Sequence, residues 1–396
     1  MNSIAIFSIS LVMVFLVYWF LLPKGNRSLF LLICSLIFIA WFGIGLALYF
    51  LINTAVVYMA GSYMSRRPAD KGLIVRCTLI WLIASLCFFK YTNTLFDLLF
   101  KTESLFLSMS DPVYSRILLP LGISYVTFRL IHYTVETYKG NAPRSSFADF
   151  ALYVLFFPTF LAGPVDRFER FYPQSGPDKR LDISDVNYGL FRIACGIIRK
   201  VFIADSLARV VMPILAVPQQ HSRPLLLACM YGLSIRIYMD FAGYTDMAIG
   251  ISRLFGYRIM ENFNRPYLQK NIALFWRSWH ISVYAWIRDY FFFPVFGHKA
   301  STLKLYLGII STAMLFMLWH RGSSSFFILG LYCSLGFIIW QAFQELKARH
   351  PLLRRALSKR WLDPLSILIT FNFVSVSQLF FIFSAKDAVS VLGAIF

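Results

Sequence analysis

The feature that most constrains this chain is the recurrence of apolar runs near 20 residues long. The first extends from about Ile4 to Leu22 and stops at Pro23. The next, Ser28 to Met64, is too long for one crossing at ~1.5 Å of rise per residue. Gly43 and Gly45 near its middle predict two helices joined by a tight turn. Further spans are read at Leu73–Phe89, Leu118–Val135, Pro224–Met239, Leu303–Trp319, Ser325–Ala342 and Leu365–Phe383. In lipid every backbone polar group must be satisfied within the chain, and a helix does this alone. The expected fold is therefore all-α: a polytopic transmembrane helical protein of about 10–11 spans.

Several stretches fit that pattern poorly. Ala151–Ala162 is apolar but short, which suits a re-entrant helix. Tyr188–Val217 is broken by Arg192, Arg199, Lys200 and Asp205, and Ala242–Leu254 continues the preceding span or re-enters. Lys90–Arg116 and Gly163–Asp185 are mixed or polar, and Glu261–Ile287 is amphipathic. Short re-entrant or interfacial helices around a central cavity are expected there, because irregular or charged segments at membrane depth are tolerated only when buried in protein or lining such a cavity.

Composition agrees. Apolar residues make up 58% of the 396 and charged ones 14%, against roughly 25% charged in soluble domains. The net charge of +19 would suggest nucleic acid in a soluble protein. Here Lys24, Arg27, Arg66, Arg67, Lys71, Arg76, Lys179, Arg180, Lys347, Arg349, Arg354 and Arg355 lie between apolar runs. That placement suits cytoplasmic loops facing membrane lipid, with no nucleic-acid partner. It sets the N-terminus outside. Met1–Leu22 lacks a basic flank and a small-residue cleavage site, so it reads as a retained span. The six cysteines include no CxxC and are expected to be free, buried thiols without metal.

The informative residues are polar ones in apolar surroundings, since a central charge in lipid costs roughly 2.5–3.5 kcal/mol. Asn262-Phe263-Asn264-Arg265-Pro266-Tyr267 precedes Phe275-Trp276-Arg277-Ser278-Trp279-His280, and Asp289 follows. Helical spacing would put Trp276 with His280, and Arg277 with Ile281, on shared faces. An interfacial helix with an aromatic belt explains the same residues. His320 ends an apolar helix, where a cap is the ordinary reading. Three more clusters also read as helix packing and internal ion pairing. They are Asp240 to Asp246, Gly163 to Phe171 (with Asp166 and Glu169 near Arg167 and Arg170), and Gly122 to His132.

The combination is more specific than its parts. Asn-Phe-x-Arg-Pro-Tyr at 262–267, Phe-Trp-Arg-x-Trp-His-Ile-Ser at 275–282, Trp-Ile-Arg-Asp-Tyr at 286–290 and Leu-Trp-His at 318–320 resemble the membrane-bound O-acyltransferase family. Asp240–Tyr244, Phe157–Phe168, Leu121–Tyr125, Ile369–Asn372 and Phe383-Ser384 extend the likeness to roughly residues 118–385. The first hundred residues match only as membrane spans. This gives a single membrane-embedded domain, 1–396, with peripheral N-terminal spans (1–117) and a core (118–385). Gly163–Phe171 and the compact length look more like the DltB branch, which moves D-alanine onto teichoic acid. Phe291–Gly297 is closer to the polysaccharide and peptidoglycan O-acetyltransferases, and Arg321 replaces the direct His-Gly step.

The resemblance implies acyl transfer to a hydroxyl of an extracytoplasmic polymer. Its essential histidine corresponds to His320 and its second polar position to His280. A hydroxyl needs a base to become a nucleophile, and histidine suits that near neutral pH. His320 is expected to be that base, with His280 donating a hydrogen bond to the oxyanion or orienting the donor. Asn264, Arg265, Trp276, Arg277, Trp279, Ser282, Asp240 and Asp289 would shape the site or bind substrate. Asp240 and Asp246 would pair with arginines. No cofactor is expected to be tightly bound. The thioester donor, on a 4′-phosphopantetheine carrier protein or as acyl-CoA, would be a substrate. An acyl carrier protein, a cell-envelope polymer and an extracytoplasmic protein are the implied partners, in a bacterial cytoplasmic membrane. A proton-coupled transporter or flippase would use similar intramembrane residues, and a bis-histidine haem protein could use the two histidines.

Overall fold

The computed structural model describes residues 3–103, 119–176, 179–299, 301–357 and 359–396. These are helical, and no strand occurs among them beyond one isolated bridge. The chain packs as two compact units, Met1–Cys195 with Thr245–Met260, and Gly196–Tyr244 with Glu261–Phe396. The expected division at 117/118 falls outside the described residues, as does 104–116 of the mixed region.

The first unit opens with α1 (Ser3–Leu16), which continues as a π turn over Val17–Leu21. Then come α2 (Arg27–Phe42) and α3 (Ile44–Arg66), parted at Gly43, whose φ of 150° suits glycine. This is the turn expected inside Ser28–Met64. α4 (Lys71–Glu103), α5 (Ile123–Lys139), α6 (Phe147–Leu155), α7 (Phe168–Phe171) and most of α8 (Ile183–Ile197) follow. α6 is apolar and too short to span; it packs against α2, α3 and α5, with Phe150–Leu155 all buried.

Its neighbours explain the polar residues of α5. Arg129 donates to the carbonyl of Val154 (2.9 Å) and to the carbonyl and hydroxyl of Thr159 (2.9 and 2.7 Å). His132 Nε2 accepts from the Phe168 N–H at 2.9 Å and lies 3.1 Å from Glu169. Glu169 therefore turns to a histidine rather than to Arg167 or Arg170, whereas Asp166 does meet Arg170, at 3.5 Å. Both clusters are scaffold: they brace irregular backbone by satisfying its donors and acceptors.

The second unit contains a π stretch (Ile198–Ala204), α9 (Asp205–Ala216) and α10 (Arg223–Leu254), whose last turns belong to the first unit. α10 is one unbroken helix across both segments expected there. α11 (Ile272–Ser278), α12 (Ile281–Ile287) and α13 (Phe293–Phe296) are short. α14 (Thr302–His320), α15 (Ser324–Arg349), α16 (Pro351–Leu357), α17 (Asp363–Ile382) and α18 (Ala385–Ile395) complete the unit. α14 packs along α15, α15 on α17, and α17 on α18.

Seven described helices are long and apolar enough to cross a membrane: Lys24–Phe42, Ile44–Arg66, Pro68–Phe96, Arg223–Leu254, Thr302–His320, Ser324–Arg349 and Arg360–Ile382. The protein is thus a multi-pass membrane protein, as the apolar runs suggested, with seven full-length candidates among the described residues. Ile6–Leu21 and Phe147–Thr159 are shorter, and α5 spends its apolar context on buried Arg129, His132 and Glu136. All six cysteines are free; Cys229 and Cys333 are buried as expected, but Cys77 and Cys87 are exposed on α4.

Candidate functional site

The site is built where the helical pattern of the second unit fails. Asn271 opens α11 by accepting from the Leu274 N–H at 2.9 Å. α11 stops at Ser278, and His280 takes left-handed backbone angles (φ 48°, ψ 50°) before α12 begins. Trp276 and His280 therefore do not share one helix, as their spacing had suggested. Residues 278–281 instead pair with 262–264: Asn264 N–H donates to Ser278 O (3.0 Å), Ile281 N–H donates to Asn262 O (2.9 Å), and Phe263 bridges Trp279.

Asn262, fully buried, joins this clasp to the chemistry. Its Oδ1 accepts from Ser282 Oγ at 2.8 Å and from the Ser282 N–H at 3.2 Å, so the amide oxygen faces α12. His280 Nδ1 lies 3.3 Å from the same oxygen. An amide oxygen only accepts, so Nδ1 carries the proton and a neutral His280 has its lone pair on Nε2. Burial, and after it the nearby His320, hold the His280 pKa well below the usual histidine value. A neutral ring in this tautomer presents Nε2 as an acceptor, which suits the orienting role among the two expected from sequence.

His320 is the last residue of α14. Its ring meets Trp319 (4.5 Å between centroids), Phe381 (5.3 Å) and Phe316 (5.4 Å). His280 packs edge-on against Phe241 at 4.7 Å and against the same Phe316 and Trp319 at 6.3 and 6.2 Å. Both histidines line one cavity of about 250 Å³ within the second unit, walled by α10, α11, α14, α15 and α17.

Of the residues singled out from sequence, the cavity gathers His320, His280, Trp276, Trp279 and Asp240. Ser282 stands behind His280, holding Asn262. Asn264, Arg265 and Arg277 are exposed and do not line the cavity. Asp289 also lies off it, bonded to Arg288 Nε at 2.8 Å. Asp240 pairs with Lys200 at 2.6 Å rather than with an arginine, while Asp246 meets Arg192 in the first unit. Arg236, Gln378 and Phe316 also face the cavity and were not picked out. Arg236 and Gln378 did carry a signal, each being a polar interruption of an apolar run.

A family model described as MBOAT, membrane-bound O-acyltransferase family, matches residues 72–377. The chain belongs to the membrane-bound O-acyltransferase family. It is 33% identical over 372 residues to a probable alginate O-acetylase of Pseudomonas aeruginosa, covering 93% of this chain and 69% of that protein. A peptidoglycan O-acetyltransferase of Helicobacter pylori is 31% identical, over 96% of this chain and 75% of its own length. A teichoic acid D-alanyltransferase of Bacillus subtilis is 35% identical, over 67% of this chain and 69% of its own. Against four alginate relatives this chain spans between 62% and 69% of their length.

Proposed function

We propose that this O-acyltransferase moves an acetyl group from a thioester to a hydroxyl of an extracytoplasmic polysaccharide, in a bacterial cytoplasmic membrane. The observation that carries the reading is the convergence of two histidines on one cavity walled by α10, α11, α14, α15 and α17. The acetyl choice departs from the D-alanyl branch favoured by Gly163–Phe171. It follows the relatives matched over the larger share of the chain, 93% and 96% for O-acetyltransferases against 67% for the D-alanyltransferase.

The chain's own groups are assigned as follows. His320 takes the proton of the acceptor hydroxyl as its oxygen bonds to the thioester carbonyl carbon. The carbon–sulfur bond then breaks, and the thiolate leaves with the proton held by His320. His280, neutral with its lone pair on Nε2, accepts a hydrogen bond that aligns the hydroxyl or the His320 ring. Gln378 supplies amide N–H donors on the wall for the developing oxyanion. The donor is an acyl-CoA or a carrier-protein thioester reaching the cavity from the cytoplasmic side. A carrier protein and an extracytoplasmic protein would be the partners.

The test is transfer of labelled acetyl from acetyl-CoA or from an acetylated carrier by the purified full chain in lipid nanodiscs. A labelled D-alanyl carrier is run alongside. His320→Ala is expected to lose on the order of 10²–10⁴ in rate while keeping its melting temperature. Near-normal transfer by His320→Ala removes the proposed base, and transfer of D-alanine alone replaces the acetyl reading.

A further inference from the structure

Arg236 lies on the cavity wall near the middle of α10, thirteen residues after Arg223 and eighteen before Leu254. A guanidinium at that depth of a membrane helix is costly, and such charges face a partner or a polar passage. Among the described residues Arg236 has no hydrogen bond, ion pair or ring contact. The carboxylate one turn away, Asp240, is the only one on the cavity wall among the described residues, and it is held by Lys200 at 2.6 Å. The other polar groups of the wall, Ser377, Gln378 and the two histidines, carry no negative charge, so the lining offers Arg236 no second anion.

We infer that Arg236 determines acceptor specificity by pairing with a carboxylate or phosphate of the polymer unit seated in this cavity. The inference rests on the acyl-transfer reading and names the acceptor class for that site: an anionic sugar or polyol phosphate. Guanidinium groups recognise both anions with two parallel hydrogen bonds, and apolar walls strengthen the pairing. The reach of the two substrates assigns the anion to the acceptor rather than the donor, because Arg236 and both histidines line the same cavity of about 250 Å³. With its carbonyl at the histidines, a pantetheine thioester keeps its phosphate a whole arm's length away, outside this space. In a uronate or a polyol phosphate the anion is only a few bonds from the accepting hydroxyl.

The test uses the full chain in nanodiscs with three acceptors: an oligouronate, its carboxyl-reduced neutral form and a glycerol-phosphate oligomer. Binding is measured by calorimetry, and transfer from S-acetylpantetheine with and without its 4′-phosphate. The wild-type protein should bind at least one anionic oligomer more tightly than the neutral one. Arg236→Gln should remove that preference, weakening the anionic oligomer on the order of 10- to 100-fold. KM should rise with it and kcat change little, Arg236→Lys should recover part, and the neutral oligomer should be unaffected. His320→Ala should keep the binding preference while losing transfer, so a failed acyl-transfer reading shows up separately from a failed role for Arg236. The inference is overturned by equal wild-type binding of charged and neutral oligomers. It is also overturned by an equal loss on all acceptors in Arg236→Gln, or by a loss that follows the donor's phosphate instead of the acceptor's charge.

Discussion

Replacing Asn262 by leucine isolates what holds His280 in place. The residue is fully buried, and its Oδ1 serves Ser282 Oγ, the Ser282 N–H and His280 Nδ1. The Ser282 hydroxyl can rotate to another acceptor, but the other two donors are fixed. A buried donor left unmade costs ~1–3 kcal/mol, so two cost roughly 2–6 kcal/mol. The Asn262 carbonyl still receives the Ile281 N–H, which keeps α12 in place and puts the loss at the lower end. Activity should fall further than stability, on the order of 10²-fold, because a misplacement of ~1 Å in the reacting geometry has that effect. Thermal unfolding in nanodiscs reads the first quantity and acetyl transfer the second. Asn262→Asp gives a sharper readout. It preserves all three bonds but sets a carboxylate against His280, which favours the charged ring and raises its pKa by ~1–3 units. The wild-type ring stays neutral well below the ordinary histidine value. If the neutral ring is required, the acid limb of the pH–rate profile moves upward in Asn262→Asp by the same interval. A wild-type profile in Asn262→Asp, together with wild-type turnover in Asn262→Leu, would refute the tautomer argument.

Other outcomes follow from the same packing. The depressed His280 pKa means the unfolded state binds more protons below ~6.5. Its contribution to stability is complete above that pH and declines as pH falls toward the folded value, and a melting series from pH 7 to 5 should flatten in Asn262→Asp. Arg192→Leu removes the guanidinium that meets Asp246, whose side chain is 5% exposed, and should lower the melting temperature, with part recovered when Asp246→Leu is added. Gly122→Ala and Gly140→Ala share a left-handed φ (79° and 85°) worth ~1–2 kcal/mol. Only at Gly122 would the new Cβ sit 2.9 Å from the Phe160 ring and carbonyl, so its melting temperature should fall further.

The membrane scaffold was legible because hydrophobic length is a one-dimensional signal. Even the break inside Ser28–Met64 could be placed, since Gly43 is where a helix pair can turn. Span number was less legible. α5 and α6 are apolar runs that bury in protein instead of facing lipid, and composition does not distinguish the two. His280, His320, Trp276, Trp279 and Asp240 stood out as polar or aromatic residues in the wrong company, and the fold puts all five on one cavity. Arg265, Arg277 and Asp289 stood out on the same grounds and lie off it: Arg265 and Arg277 are exposed, and Asp289 turns to its neighbour Arg288. Asn262 was read as part of a motif, and its role depends on a hydrogen bond to Ser282 across twenty residues, which no local pattern encodes. Arg236 hid inside an otherwise clean span.

The break at His280 links the fold to the chemistry. Arg265 and His280 are the two non-glycine residues with positive φ among those described, at 46° and 48°, and both lie in the excursion between α10 and α12. A side chain in that conformation costs ~1–2 kcal/mol, and it persists only where the surroundings over-determine it. Here they do: the Phe263–Trp279 bridge, the Asn264–Ser278 and Ile281–Asn262 hydrogen bonds and the Asn262 side chain all act within two residues of His280. A continuous helix from Ile272 to Ile287 would relieve the strain and satisfy the same backbone groups. It would also break the pairing that brings His280 Nδ1 to Asn262, and with it the fixed tautomer. The sequence keeps the strained alternative at the residue that faces His320 across Phe316 and Trp319. Both His280→Gly and His280→Ala remove the ring and are expected to lose transfer, but only glycine relieves the backbone, so His280→Gly should melt higher than His280→Ala by the equivalent of ~1–2 kcal/mol. Equal melting temperatures for the two variants would mean that the left-handed angles at 280 carry no strain.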